Sequence, residues 1–80
     1  MINESAIIHP SAKLAAHVSI GPGSFIGADV EIGEGTFVGA NTVIKQGIKI
    51  GKNVTIGAGS VIIGNIPDNA KMAGNPAKHL

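Results

Sequence analysis

The sequence has 80 residues, which is enough for one domain with a thin core. It has 12 glycines, only two phenylalanines and no Trp or Tyr, which excludes a core packed around large aromatic rings; its apolar residues are mainly Ile, Val and Ala. A net charge of +1 gives no electrostatic case for binding nucleic acid or an anionic membrane. The lack of cysteine excludes a disulfide framework and a thiolate zinc site.

Residues 1–7 form a short lead-in to the regular part of the sequence. The start "MINESAIIHP" has neither the basic region nor the long apolar region of a secretory signal, and no apolar run approaches the length of a membrane span. We therefore expect a soluble, non-secreted protein that is cytoplasmic and has neither membrane nor nucleic acid as a partner.

Residues 8–67 carry a repeat of six residues. An aliphatic residue opens every hexad, ten times in succession: Ile8, Leu14, Ile20, Ile26, Ile32, Val38, Ile44, Ile50, Ile56 and Ile62. Glycine follows it in six hexads: Gly21, Gly27, Gly33, Gly39, Gly51 and Gly57. The fifth position is small or β-branched: Ala12, Val18, Ser24, Val30, Thr36, Thr42, Ile48, Val54, Ser60 and Ile66.

This period predicts an all-β solenoid of short strands. Side chains alternate across a strand, so the aliphatic anchor and the residue two places before it point to the same, inward side. Gly and Asn recur where the chain must turn sharply. Stacked coils would then bury a continuous column of aliphatic side chains that no single repeat could bury alone.

Residues 68–80 depart from the repeat and predict an irregular C-terminal tail. Pro67 and Pro76 are expected to stop further strand pairing at this end, and Pro10 blunts the edge at the other end. His79, the penultimate residue, is expected to be mobile.

The pattern aliphatic-Gly-x-x-small-x resembles the hexapeptide repeat of acyltransferases, and the "AGNPAK" tail is similar to that of their CoA-dependent members. Residues 31–78 most resemble bacterial acetyltransferases of sialic acids and amino sugars. The resemblance implies a left-handed parallel β-helix of about three coils, with three hexads per coil. It also implies a homotrimer that transfers acetyl from acetyl-CoA to an amino or hydroxyl group of a sugar or nucleotide sugar.

Folding the sequence at the family's 18-residue coil places Phe25, Val43 and Val61 in one outward column. An exposed apolar stripe on so small a protein usually marks an interface, which fits a subunit contact. The alternative is that the C-terminal tail folds back over the stripe.

A column of small residues, Pro22, Ala40 and Ala58, runs beside the stripe. The resemblance implies that acetyl-CoA lies along such a column. The implied contacts are Ser19, Ala40, Gly57, Ala58, Gly59 and Lys78. The alternative is that the small residues only satisfy tight corners of the coil.

The family's catalytic pattern is not present. The resemblance implies a histidine as general base followed by a carboxylate, but an ungapped alignment places Pro10 and Ser11 there, and the second histidine position falls on Ser19. His17 and His9 remain as candidate bases. Two interpretations stay open: an acetyltransferase or its CoA-binding core, and a non-catalytic trimeric scaffold.

Two further classes are not favoured by the sequence. A zinc enzyme needs three protein ligands, whereas His9 and His17 do not share a column and no third partner lies within the coils. An ice-binding solenoid needs a regular threonine array, and the threonines of this chain do not stack at an 18-residue spacing.

Overall fold

A computed structural model describes all residues, 1–80, and contains strands without any helix. The strands are β1 Ile7–Ile8, β2 Lys13–Leu14, β3 Ser19–Ile20, β4 Phe25–Ile26, β5 Glu31–Ile32, β6 Phe37–Val38, β7 Val43–Ile44, β8 Lys49–Ile50, β9 Thr55–Ile56, β10 Val61–Ile62, β11 Lys71–Gly74 and β12 Ala77–His79. The chain thus offers no helical segment with the length and apolar character needed to cross a membrane.

The strands form three sheets, one on each side of a triangular coil. We call them the stripe face (β1, β4, β7, β10), the lysine face (β2, β5, β8) and the tail face (β3, β6, β9, β11, β12). Strands stack in parallel with an 18-residue offset, as in Ile7 opposite Phe25 and Phe25 opposite Val43. The predicted β-helix with three hexads per coil is therefore confirmed, and it is consistent with the left-handed form.

The core consists of the two inward positions that the hexad pattern predicts. The anchors Ile26, Ile44 and Ile56 are fully buried, and so are fifth-position residues such as Thr36 and Val54. The outward residue between them is mostly exposed, which follows from the alternation of side chains along each two-residue strand. No buried side-chain N or O atom lacks a hydrogen-bond partner.

The corners turn on residues with left-handed backbone conformation. The fourth hexad position has positive φ in nine places, at His17, Gly23, Asp29, Gly35, Asn41, Gly47, Asn53, Gly59 and, after the repeat shifts, Asn69. Glycine, Asn, Asp and His are the residues that adopt this conformation at the lowest cost. The corner role predicted for Gly and Asn is confirmed.

The solenoid is longer than the predicted three coils and makes about four turns. Ile2 bridges to Ile20 before the first strand, and Ile66 bridges to Ile50 beyond the tenth. Ile66 was expected at a fifth position but occupies an anchor position instead, and Met72 follows it opposite Ile56. The reason is a corner two residues shorter than the others, so that the register there is 16 residues instead of 18.

The tail continues the sheet instead of remaining irregular. Strand β11 pairs in parallel with β9, and β12 then returns antiparallel to β11, placing His79 opposite Met72. His79 therefore belongs to a strand, contrary to the expectation that it is mobile. The tail covers the tail face only; Phe25 and Val43 remain 45% and 42% exposed, so the tail does not fold over the stripe.

Candidate functional site

The small-residue column predicted beside the stripe lies along one corner of the triangle, between the tail face and the stripe face. We call the segments 21–23, 39–41 and 57–59 the small-residue corner. Ala40 is half-buried, whereas Pro22 and Ala58 are exposed. No side chain larger than Asn projects from this corner, so its backbone is accessible along the solenoid axis.

The glycines of this corner have a packing role of their own. A Cβ added at Gly39 would lie 2.5 Å from the backbone N of Ala58, and one added at Gly21 would lie 2.6 Å from the backbone N of Ala40. A Cβ on Gly57 would lie 3.2 Å from that of Ala73. Coil stacking therefore explains these glycines without a ligand, as the alternative interpretation holds.

The outer surface of the corner is open at its C-terminal end, whereas at the other end the Asn41 side chain lies against Gly23. No atom lies within 4 Å of a Cβ built on Gly59, and Ala58 beside it is exposed. A flat or extended ligand could approach the backbone here more closely than anywhere with a longer side chain.

Lys78 lies at the C-terminal end of the small-residue corner. It pairs with Ala73 across the hairpin, and Ala73 contacts the position where a Gly57 Cβ would be. Opposite residues of an antiparallel pair point to the same side. The structure thus brings the exposed ammonium of Lys78 to the same end as Gly57 and Ala58.

Ser19 lies at the other end, on the tail face. It stacks below Phe37 in the outward column, and its Oγ accepts a hydrogen bond of 3.0 Å from the amino group of Met1. Its hydroxyl therefore has a structural partner within the chain.

His17 lies on a different corner, between the lysine face and the tail face. It is exposed and has a φ of 62°, at the position that Gly35 and Asn53 fill in the next coils. The expectation that it lies near a corner is confirmed. A histidine is suited to this position because it adopts the left-handed backbone conformation more readily than most residues. The tail face separates His17 from the small-residue corner.

His9 lies on the third corner and forms a local turn. Its Nδ1 accepts a hydrogen bond of 3.1 Å from the backbone N of Ser11 and lies 2.8 Å from Ser11 Oγ. That Oγ also accepts a hydrogen bond of 2.9 Å from the backbone N of Asp29 in the next coil. The two candidate histidines are therefore on separate corners, and no cluster of three metal-ligating side chains occurs.

Pro10, the residue at the family's base position, is exposed at the same corner as His9. It has no side-chain atom that can accept a proton. The departure from the family's catalytic pattern thus persists in three dimensions.

A groove of about 270 Å³ at the N-terminal end of the tail face was not predicted from the sequence. Its lining includes Asn3, Ser19, Pro22 and Phe37. The one signal in the sequence was Phe37 itself, an aromatic residue in a column otherwise occupied by Ser19 and Thr55.

Two family models match the chain. The bacterial transferase hexapeptide (six repeats) matches residues 29–64, and the hexapeptide repeat of succinyl-transferase matches residues 17–33. Together the two matches cover residues 17–64 and support the hexapeptide-repeat acyltransferase family. A comparison with curated proteins found no match.

Solved structures similar to this hexapeptide-repeat chain include the acetyltransferase domain of PglB from Neisseria gonorrhoeae in complex with acetyl coenzyme A. Identity is 28% and the TM-score 0.78, over 99% of this chain and 56% of that one. A mutant of GDP-perosamine N-acetyltransferase from Caulobacter crescentus, in complex with CoA and GDP-perosamine, is 26% identical with a TM-score of 0.74, over 99% of this chain and 55% of that one.

The serine acetyltransferase of Neisseria gonorrhoeae is 33% identical with a TM-score of 0.91, over 100% of this chain and 35% of that one. The chain thus spans about half, or less, of the length of these acetyltransferases. One is named for a sugar substrate and another for an amino acid, so the shared β-helix does not define the acceptor.

Proposed function

We propose that this chain is the CoA-binding β-helix of an acetyltransferase that acts on an amino or hydroxyl group of a sugar, as a homotrimer. The observation that carries this proposal is the small-residue corner, which is open around Gly59 and ends at Lys78. Similar β-helices bind acetyl coenzyme A or CoA, which supports the same ligand class here.

The corner suits the two chemically different parts of acetyl-CoA. The pantetheine arm is long, narrow and carries amide groups, and it can lie against a backbone whose side chains are as small as those of Ala40 and Ala58. The phosphates need a cation, which the exposed ammonium of Lys78 supplies as a point charge at one end.

The reaction would be an acyl transfer between thioester and acceptor. The acceptor nitrogen or oxygen forms a bond to the acetyl carbon, the bond from that carbon to sulfur breaks, CoA leaves as its thiol, and the acceptor loses one proton. A general base accelerates this step by taking that proton. His17 is the first candidate for the base and His9 the second; of the two, the ring of His9 already accepts a hydrogen bond from Ser11.

The separate corners of the two histidines, with Pro10 at the family's base position, favour a second candidate function. In that case the chain is a trimeric scaffold that retains the fold without turnover. Both candidate functions require the β-helix and the trimer. Only the acetyltransferase requires that the chain bind acetyl-CoA and transfer its acetyl group.

Calorimetric titration of acetyl-CoA into the protein tests the proposal. One site per chain is expected. Ala58→Trp should abolish the heat, because the indole would occupy the open corner, whereas Ala16→Trp should not, since Ala16 is an exposed alanine at the same hexad position on another corner.

A charge-matched pair tests the phosphate contact. Lys78→Gln should weaken acetyl-CoA about fivefold, the effect of one exposed charge pair worth about 1 kcal/mol. Lys49→Gln, which removes an exposed charge from the lysine face, should leave the affinity unchanged. No heat from wild type at millimolar acetyl-CoA would establish the scaffold function instead.

A further inference from the structure

The groove at the N-terminal end of the tail face is built by two segments that are far apart in the sequence. The bridge between Ile2 and Ile20 lays residues 1–3 against β3, and Phe37 projects from β6 directly beyond Ser19. The resulting concavity has a volume of about 270 Å³ and a mainly apolar lining. It is larger than a water site and smaller than the pockets that take drug-sized ligands.

One wall of the groove is an aromatic ring. Phe37 is 50% exposed, although phenylalanine is usually buried and the equivalent positions in the coils on either side are Ser19 and Thr55. The ring contributes nothing to the buried core, which is formed by the inward positions. Its exposed part is available to stack against an apolar surface of a ligand.

The rest of the lining carries hydrogen-bonding groups with unused capacity. The carbonyl oxygen of Asn3 accepts hydrogen bonds from the backbone N and the Oγ of Ser5, at 2.9 and 2.8 Å, which orients its NH2 group away from that turn. Ser19 Oγ accepts one hydrogen bond and keeps its own hydrogen to donate. The groove therefore combines an aromatic surface with an amide, a hydroxyl and the amino group of Met1, which donates to Ser19 Oγ.

This combination matches a pyranose ring, which has apolar C–H faces and a rim of hydroxyl or amino groups. We propose that the groove binds the sugar ring of the acceptor, with Phe37 stacking on one face of the ring and Asn3 and Ser19 bonding to its polar substituents. The inference rests on the proposed function, since it names the site for the acceptor of the same reaction.

The position of the groove relative to the small-residue corner supports this assignment. Gly21 and Pro22 line the groove and also begin the small-residue corner, so the two sites are contiguous. A ring seated against Phe37 would lie at the end of the corner opposite to Lys78. Donor and acceptor would therefore occupy adjoining surfaces of one chain.

The test is a titration of ¹⁵N-labelled protein with D-glucosamine, followed by amide chemical shifts. The largest shifts are expected at residues 3, 19–21 and 37. Phe37→Ser should weaken binding about tenfold, and Phe37→Trp should restore it, because a larger aromatic face stacks at least as well. Ile63→Ser, which removes a similarly exposed apolar side chain near the other end of the solenoid, should leave binding unchanged.

Three results would overturn the inference. They are shifts that cluster away from the groove, the same affinity in wild type and Phe37→Ser, and a change of oligomeric state in Phe37→Ser, which would make Phe37 a subunit contact. Acetyl-CoA calorimetry on the same sample separates the two proposals. Donor binding without glucosamine binding rejects only the groove. Glucosamine binding without donor binding rejects the donor site and leaves the groove as a sugar site of a non-catalytic scaffold.

Discussion

The glycine that follows many anchors is determined by the distance between coils. At Gly39, a Cβ would lie 2.5 Å from the backbone N of Ala58, closer than side-chain carbons approach backbone atoms in folded proteins. The obstructing atoms belong to the backbone of the next coil, which cannot rotate out of the way. By contrast, a Cβ on Gly64, at the shortened corner, would have no atom within 4 Å.

Two glycine-to-alanine substitutions should therefore have different effects on stability. Gly39→Ala should lower the free energy of unfolding by about 1–3 kcal/mol, because the coils must separate to admit the methyl group. Gly64→Ala should be neutral or stabilising by up to about 1 kcal/mol, since it only restricts the unfolded chain. Urea unfolding at one protein concentration measures both, and an equal loss in the two variants would contradict coil spacing as the cause.

At the scale of the strand and coil, buried hydroxyls connect successive turns of the solenoid. Thr36 is fully buried; its Oγ1 donates to Gly51 O at 2.8 Å and accepts from the backbone N of Val54 at 3.1 Å. One coil earlier, Val18 occupies the same inward position, and there the backbone N of Thr36 bonds directly to Gly33 O at a longer 3.4 Å. The threonine hydroxyl therefore replaces a long direct hydrogen bond between backbone groups with two shorter ones through Oγ1.

Thr36→Val should reduce the free energy of unfolding by about 1–2 kcal/mol, because two buried polar groups lose a good partner and regain only a poor one. A misfit of the valine side chain would not cause this loss, since the equivalent positions in the adjacent coils are valines, Val18 and Val54. Thr55→Val, on the exposed side of the same face, is the control and should change stability by less than about 0.5 kcal/mol. A neutral Thr36→Val in denaturant titrations would show that the direct backbone contact is sufficient.

The burial of strand residues could be predicted from the sequence, whereas the shortened corner could not. The hexad period determines which side chains are buried, because each two-residue strand has one inward and one outward position, and Ile26 and Phe25 illustrate both. The shortened corner was not predictable, since Ile66 fits a fifth position as well as an anchor until its pairing with Ile50 is known.

One part of the candidate site could be predicted from the sequence and another part could not. The small-residue corner could be predicted, because its members recur at the coil spacing and their column is visible in the sequence. The groove could not, because Asn3 and Phe37 belong to different coils and meet only through the bridge between Ile2 and Ile20. The separation of His9 from His17 onto two corners, by contrast, follows directly from their hexad positions.

At the scale of the whole molecule, one face remains apolar and exposed. The structure extends the predicted stripe by one residue, so that Ile7, Phe25, Val43 and Val61 stack in register along the stripe face. Ile7 is 63% exposed. A solenoid with a thin core and an unpaired outer face of this kind would bury more apolar surface by side-by-side association, which supports the proposed trimer.

The centre of this stripe provides a direct test of the oligomer. Val43→Asp should convert the assembly to monomers, because association would bury three unpaired carboxylates at the contact. Gln46→Asp adds the same charge at the exposed corner between the stripe face and the lysine face, and it should leave the assembly intact. Sedimentation velocity at several concentrations distinguishes the species. A wild-type monomer, or a Val43→Asp variant that remains a trimer, would remove the stripe as the subunit contact.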